Sequence, residues 1–307
     1  MRISDVMAGK KNTITPTQSP FPVFAMCQPI YVDDAIENNP TMKEYSSKPL
    51  DKEKFMAQWY NLYNTLAANS LVYLITPVKG LQDEVYVNSF AYLPNITDRD
   101  VIVLSNFTGE GRAGEEIVAG GLFKDLGYDV VKCPFKFEGE PELKFLSDAK
   151  TYLGGYGFRS DIRAHKWLTE KYGCKIIPIR ETDEVLYHLD CSAFPIGKDN
   201  VLLCTEIMDP STVKQIEKIV NVIPVSKADC DSGICNSLQV ESEIYNGSSL
   251  KYMRKTDKDY EETKTKDENL QGICSRLGLE VTFFDLSEFE TSGAKLSCAV
   301  SRLNVRL

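Results

Sequence analysis

The feature that most restricts what this chain can fold into is a repeated unit. An apolar β-rich run, a turn, a second such run, an amphipathic segment and a short apolar strand return at a spacing of about 50–60 residues. In the first unit, alternation and β-branched content predict strands over 71–77, 84–93 and 101–105, a helix over 114–126 and a strand over 130–134. The second unit has an extended run over 152–158, a helix over 161–172, Gly173 where a helix C-cap is expected, and a strand over 175–179. The third runs through 184–194, 200–206, a helix near 210–219 and a strand over 220–225. A further helix over 268–277 is closed by Gly278 and followed by a strand over 280–284 and a terminal stretch over 296–303. Such units point to a pseudo-symmetric α/β assembly whose natural site is the central axis, not to a singly wound sheet.

Two regions fall outside the rhythm. Residues 1–20 are polar, carry Lys10-Lys11 and contain no apolar stretch of secretory type, so they are expected to be a poorly ordered leader on a cytoplasmic protein. Residues 241–266, rich in Ser, Glu, Lys and Asp, are expected to be a solvated loop or surface insertion, or else a lid, within a single domain over 21–307.

Charge narrows the partners. With 35 Lys and Arg against 44 Asp and Glu, the field repels phosphate backbones and favours cations, which argues against nucleic acid. No apolar run approaches the roughly 20 residues of a membrane-spanning helix. Nine cysteines, dispersed and without a Cys-x-x-Cys, suit a reducing compartment, and two histidines cannot complete a zinc set with them. Eight of the nine are expected to be small buried hydrophobes.

Histidine chemistry has two candidates. His165 sits on a predicted helix surface and is expected to be solvated, whereas His188, in Val185-Leu186-Tyr187-His188-Leu189-Asp190, has a β pattern that puts His188 and Asp190 on one face. That segment alone fits equally a catalytic pair and a satisfied polar pair in a core. Glu138 is expected at a strand end beside Gly139, and Gly154-Gly155-Tyr156-Gly157-Phe158-Arg159 joins glycines to an arginine. Cys298 follows a small-residue turn at the head of a strand, which would expose its thiol. Carboxylates suit a cationic substrate, and a thiolate suits its electrophilic carbon. Gly109-Glu110-Gly111-Arg112-Ala113-Gly114 matches G-x-G-x-x-G, but no acidic residue ends the strand that follows, so a dinucleotide cofactor is not expected.

Taken together, Met26-Cys27 with Asn39-Pro40, Gln58-Trp59-Tyr60-Asn61-Leu62-Tyr63, Thr76-Pro77-Val78-Lys79-Gly80, Gly155-Tyr156-Gly157-Phe158-Arg159-Ser160 and Tyr187-His188-Leu189-Asp190 resemble the guanidino-group-modifying superfamily. Its members include arginine deiminases, dimethylarginine dimethylaminohydrolases, amidinotransferases and the arginine dihydrolase domain of cyanobacteria, to which the motifs are especially similar. The resemblance spans about residues 24–304. It implies a five-bladed α/β propeller (pentein) with pseudo-fivefold symmetry and no cofactor or metal. It further implies Cys298 as nucleophile, His188 as acid and base, Asp190 and Glu138 as ligands of guanidinium and histidine, and Asp83 as a pocket carboxylate. Arg112 and Arg159 fall on family arginines.

Three departures qualify what the resemblance implies. Ser89 stands where deiminases have aspartate and dihydrolases asparagine, and strand alternation would turn Asn88 to the other side. Asn106 replaces an arginine that resembles a clamp on the substrate carboxylate, and Ile30 replaces a polar loop residue. The implied activity is a cysteine-dependent hydrolase acting on arginine or an arginine-like compound through a covalent amidino-thioether. The alternatives are an amidinotransferase using an acceptor amine, and a non-catalytic guanidino-ligand binding protein. The partner is a small guanidino molecule, with homo-oligomerisation left open.

Overall fold

The computed structural model describes residues 19–45, 47–94, 100–146 and 150–304. The expected leader, apart from its last two residues, lies outside them. Fifteen described strands form five separate three-stranded sheets. The strands are β1 (Val23–Cys27), β2 (Leu71–Ile75), β3 (Phe90–Leu93), β4 (Val101–Leu104) and β5 (Asp129–Lys132), then β6 (Leu143–Phe145), β7 (Thr151–Tyr156), β8 (Lys175–Arg180), β9 (Ala193–Ile196) and β10 (Asn200–Leu203), and finally β11 (Asn221–Pro224), β12 (Leu238–Val240), β13 (Glu243–Gly247), β14 (Glu280–Phe284) and β15 (Ser301–Arg302).

One pattern serves all five sheets. The middle strand (β1, β4, β7, β10 or β13) pairs parallel with the strand that follows it in the chain and antiparallel with the other edge strand, which is β15, β3, β6, β9 or β12. A parallel pair needs a crossover, and each is bridged by a helix: Lys52–Asn69, Glu115–Asp125, Ile162–Tyr172, Pro210–Ile216 and Tyr260–Leu277. Local chemistry sets the ends. Asp51, Asp161 and Asp209 cap N-terminal amides, and Gly173 and Gly278 end their helices at φ 68° and 70°.

The middle strands read as continuous apolar runs because both faces are buried in different cores. Val23, Ala25 and Cys27 of β1 pack with β4 residues Ile102 and Leu104, while Phe24 and Met26 pack with Tyr245 of β13 and Phe284 of β14. Val101 and Val103 face Tyr152; Leu153 faces Val201 and Leu203; Leu202 faces Ile244. Each of the five clusters thus joins two successive sheets, and one joins the last to the first. The first sheet is completed by β15 from the other end of the chain, where Leu303 N–H donates to Val23 O at 2.8 Å and Val23 N–H to Asn304 Oδ1 at 2.8 Å.

Three expected elements differ. Residues 84–89 are turn and coil, and only Phe90–Leu93 is strand. His188 and Asp190 do not share a strand face: His188 caps a 3-10 turn, Leu189–Cys191, and β9 begins after it. The stretch 241–266 is not an insertion, since it supplies β13 and the opening turns of the Tyr260–Leu277 helix. His165 is also not solvated. It is buried against Gly154 and Gly155, and its Nε2 lies 3.0 Å from Gly155 O.

Candidate active site

The repeated pattern brings equivalent positions together. Asn88, Glu138, His188 and Cys298 each lie shortly before the antiparallel edge strand of their unit: β3, β6, β9 and β15. All four line one cavity of about 40 Å³, together with Asn38, Asn39, Asp83, Tyr86, Arg112, Arg159, Tyr187 and the turn Ser292, Gly293 and Ala294. The fifth unit supplies Asn236 ahead of β12. It does not line the cavity, but its Nδ2 donates to Ser297 Oγ at 3.0 Å beside the thiol.

Glu138 is held from three sides. The Thr108 N–H donates to Oε1 at 3.0 Å, His188 Nε2 meets Oε2 at 2.9 Å, and Arg159 Nη1 lies 3.5 Å from Oε2. Gly139, at φ 73°, is required behind it, because a Cβ there would stand 2.6 Å from Phe90 O and 2.8 Å from Ser105 Oγ. Burial alone would raise the Glu138 carboxyl, but the His188 bond and charge, with Arg159 and Arg112, outweigh it and hold it at about 2. The same pairing works on His188, where burial would favour neutral imidazole but Glu138 and Glu142 keep its pKa above the ordinary histidine value. The pairing therefore favours imidazolium beside carboxylate.

Cys298 is half-buried in the 3-10 turn Leu296–Ala299 ahead of β15, not at the head of the strand itself. Burial and the charge of Asp190 push its thiol up to about 12, with Lys295 N–H geometry, Arg112 and Lys144 opposing. The resting sulfur is a thiol. Asp190 does not contact His188 by hydrogen bond; its Oδ2 accepts from Ser297 Oγ at 2.8 Å, and it stands beneath the lining.

Asp83 presents a carboxylate to the cavity. Its Oδ2 accepts from Asn38 Nδ2, and Oδ1 is buried with no donor in hydrogen-bond reach among the described residues. Burial raises its pKa, while Arg112 and Asn38 act the other way. Asn88, not Ser89, shares the lining with Asp83, because the coil over 84–89 lacks the alternation that would have turned Asn88 away. Ser89 is buried outside it. Asn106 is outside too, its backbone bridged to Phe137 at 2.8 and 3.1 Å. Arg112, carried by the glycine-rich loop that matched a dinucleotide motif, is clamped by Glu115 at 2.9 and 2.6 Å and donates to Tyr86 O at 2.7 Å.

The segment 36–39 covers the cavity. Ile36 and Gln82 exchange bonds of 3.0 and 2.8 Å, Arg159 Nη2 donates to Asn38 O at 2.7 Å, and Asn39 Nδ2 donates to Ser292 O at 3.0 Å. Gly293, φ 73°, lies so close that a Cβ there would be 2.8 Å from Asn39 Cγ. Arg159 also stacks on Tyr187 at 4.7 Å. Asn38, Asn88 and Asn236 escaped the sequence reading as site residues, since amides in coil carry no periodic signal; Asn39 and Tyr187 stood within motifs already singled out.

Comparison with known proteins agrees on one relationship. The profile of the family described as N,N dimethylarginine dimethylhydrolase, eukaryotic, matches residues 28–305. The bifunctional arginine dihydrolase/ornithine cyclodeaminase AgrE of Nostoc sp. is 27% identical over 285 residues, 91% of this chain and 37% of AgrE. The chain therefore spans little more than a third of that relative. N(G),N(G)-dimethylarginine dimethylaminohydrolase of Mycobacterium tuberculosis is 28% identical over 208 residues, 67% of this chain and 66% of that protein. The solved N-terminal domain of ArgZ, an arginine dihydrolase from cyanobacteria, bound to its substrate, has the same mixed α/β fold, with a TM-score of 0.78 at 24% identity over 92% of this chain and 98% of that one.

Proposed function

Because the chain belongs to the dimethylarginine dimethylhydrolase family, whose relatives are hydrolases of guanidino C–N bonds, we propose that it hydrolyses the guanidinium group of arginine or an arginine-like compound through a covalent intermediate on Cys298. The observation that carries this reading is the convergence, on one 40 Å³ cavity, of a thiol, an imidazole bonded to a carboxylate, and a carboxylate oxygen with no donor. The five clusters that link successive sheets, last to first, support a closed five-bladed propeller with this cavity on its axis.

A planar cation would bond the open oxygen of Asp83 and lie between it and Glu138, with Asn88 as a further partner. Segment 36–39, which bonds to Arg159 and Ser292 across the cavity, would enclose the bound cation. The arriving positive charge lowers the thiol pKa, and its proton leaves to solvent. The thiolate adds to the central carbon; the imidazolium of His188 donates its proton to the departing amine as the C–N bond breaks; an amidino-thioether remains on Cys298. Neutral His188 then takes a proton from water, the hydroxyl adds to the same carbon, and collapse restores the thiolate. Asp190, through Ser297, orients the turn that carries the sulfur.

Mass spectrometry of products from isotopically labelled arginine and N-methylated arginines, with and without glycine or ornithine as acceptor, tests the reading. Water-derived oxygen in the product supports hydrolysis, a new guanidino compound identifies an amidinotransferase, and binding with no turnover across the panel overturns catalysis.

A further inference from the structure

Outside the lining, next to His188, two carboxyl groups face each other. Glu142 ends the 3-10 turn Glu140–Glu142 that leads from Glu138 to β6, and Glu181 follows β8. Both crowd onto Gly155 of β7: a Cβ there would touch Glu142 Oε2 and stand 2.5 Å from Glu181 Oε1 and 2.9 Å from Leu189 Cβ. Glycine is required at 155 because the room of its missing side chain is filled by these carboxyl oxygens.

Both groups are buried, at 0% and 7% exposure. Glu142 Oε2 accepts from the N–H of Leu189, the residue between His188 and Asp190, at 3.3 Å. Glu142 Oε1 and both oxygens of Glu181 have no donor among the described residues. Two dry carboxylates in such contact cannot both be ionised, and a proton between them supplies the missing donor. Burial and the neighbouring Glu142 push Glu181 up to about 12.

The charges that act on Glu181 from beyond the pair are Asp190 and Glu138, and Glu142 acts in turn on His188, whose Nε2 bonds Glu138. On the β7 side, His165 is fixed on Gly155 O and Tyr156 adjoins that glycine. No cation in reach bonds either carboxyl among the described residues.

We propose that Glu142 and Glu181 share one proton and act as a single buried negative charge that keeps His188 in its imidazolium form, a positioning pair for the acid step; this rests on the hydrolytic reading above. The shared proton stays in place through the reaction. His188 gives up its own proton and recovers it from water.

The substitutions E142Q and E181Q test this in the full chain. Each single change replaces the protonated partner with an amide donor and leaves one negative charge, whereas the double change removes it. The chain has only two histidines, so the imidazole nitrogens of the labelled protein report His188 directly, with His165 as the internal check on folding. The expected result is a His188 midpoint nearly unmoved in either single variant and lowered by about one pH unit in the double variant. A double variant with an unmoved midpoint, or a single variant that shifts as far as the double, overturns the proposal.

Should the double variant not fold, infrared difference spectra of the native protein against E181Q decide it. At pH 9 the native spectrum is expected to retain a carboxylic-acid carbonyl band that E181Q lacks. At that pH Glu115, which burial pushes up to about 7 against the pull of Arg112, is ionised. Absence of the band overturns the proposal. Neither measurement needs turnover, so a chain inactive on every guanidine refutes the proposed function and with it the acid-step role, while the shared proton and its hold on His188 are decided separately by the titration and the infrared band. Where turnover is present, the alkaline limb of kcat moves with the His188 midpoint in the double variant while KM holds.

Discussion

His165 and His188 are buried to the same degree, 5% and 6% exposed, yet their surroundings drive them in opposite directions. Around His165, burial meets only a backbone carbonyl and a distant Asp161, and the ring is held neutral with its pKa lowered to about 4. Around His188, burial meets Glu138, Glu142 and Asp190, and these carboxylates outweigh it and raise the pKa. Burial therefore does not determine the charge of a histidine; the partners enclosed with it do. The two regions also differ in chain geometry. His165 is on a helix that covers a sheet, whereas His188 is on coil between strands, where backbone and side chains from several units meet.

The most severe way to probe this difference leaves both rings alone. Cys298→Ser is expected to cut turnover by about 10⁴-fold or more with both imidazole midpoints unchanged, which steady-state kinetics and nitrogen-15 titration would check. Retained turnover would break the assignment of the sulfur. Next, Glu138→Gln removes the carboxylate that distinguishes the two sites. His188 should then titrate below its native midpoint and kcat should fall by about 10²–10⁴-fold, with His165 unmoved; equal movement of both rings would mean a general disturbance. Asp83→Asn, which removes charge from the cavity but not from His188, is expected to raise KM for a guanidinium substrate by about 10–100-fold with a smaller effect on kcat.

The smallest effect is on stability. The folded pKa of His165 lies below its unfolded value, so the unfolded chain takes up the proton first and stability falls as pH drops from about 6.5 toward 4. Between pH 6.5 and 5.5 this amounts to about 1 kcal/mol, and His165→Gln, which keeps a donor for Gly155 O, should flatten that part of a denaturant-derived stability curve. His188 has the opposite sign: its contribution is complete below about 6.5 and is lost as pH rises through its elevated folded value. A wild-type curve that steepens on acidification in the His165→Gln variant would contradict the assignment.

Much of the architecture was legible in the sequence because the middle strands, buried on both faces, leave unbroken apolar runs at regular spacing, and Gly173 and Gly278 mark helix ends. The Tyr260–Leu277 helix was half hidden for a physical reason. Its first turns put Lys266 and Asp267 on the buried side, where the lysine is satisfied by Asn246 Oδ1 and Gly247 O at 2.8 Å and by Asp267 at 2.5 Å, so a core-facing stretch has the composition of a solvated one. Of the principal lining residues, Cys298, His188 and Glu138 were picked out as reactive types in glycine-rich or β-patterned settings, whereas Asp83 came only through the family resemblance. Their detailed partners were not: the choice between Asn88 and Ser89, the separation of Asp190 from His188, and the dense packing of Glu142 and Glu181 on Gly155 depend on coil conformations that no period encodes.

The pairing of β1 with β15 has a bearing on biogenesis. β1 is synthesised first and β15 last of the fifteen strands, and Cys298 is translated just before the latter. A nascent chain can fold its inner units while still on the ribosome, but the first sheet stays open and the reactive sulfur is lacking until both have emerged. Assembly of the scaffold and delivery of its nucleophile are thereby one late event, so partly made chains should have neither a finished first sheet nor an armed thiol.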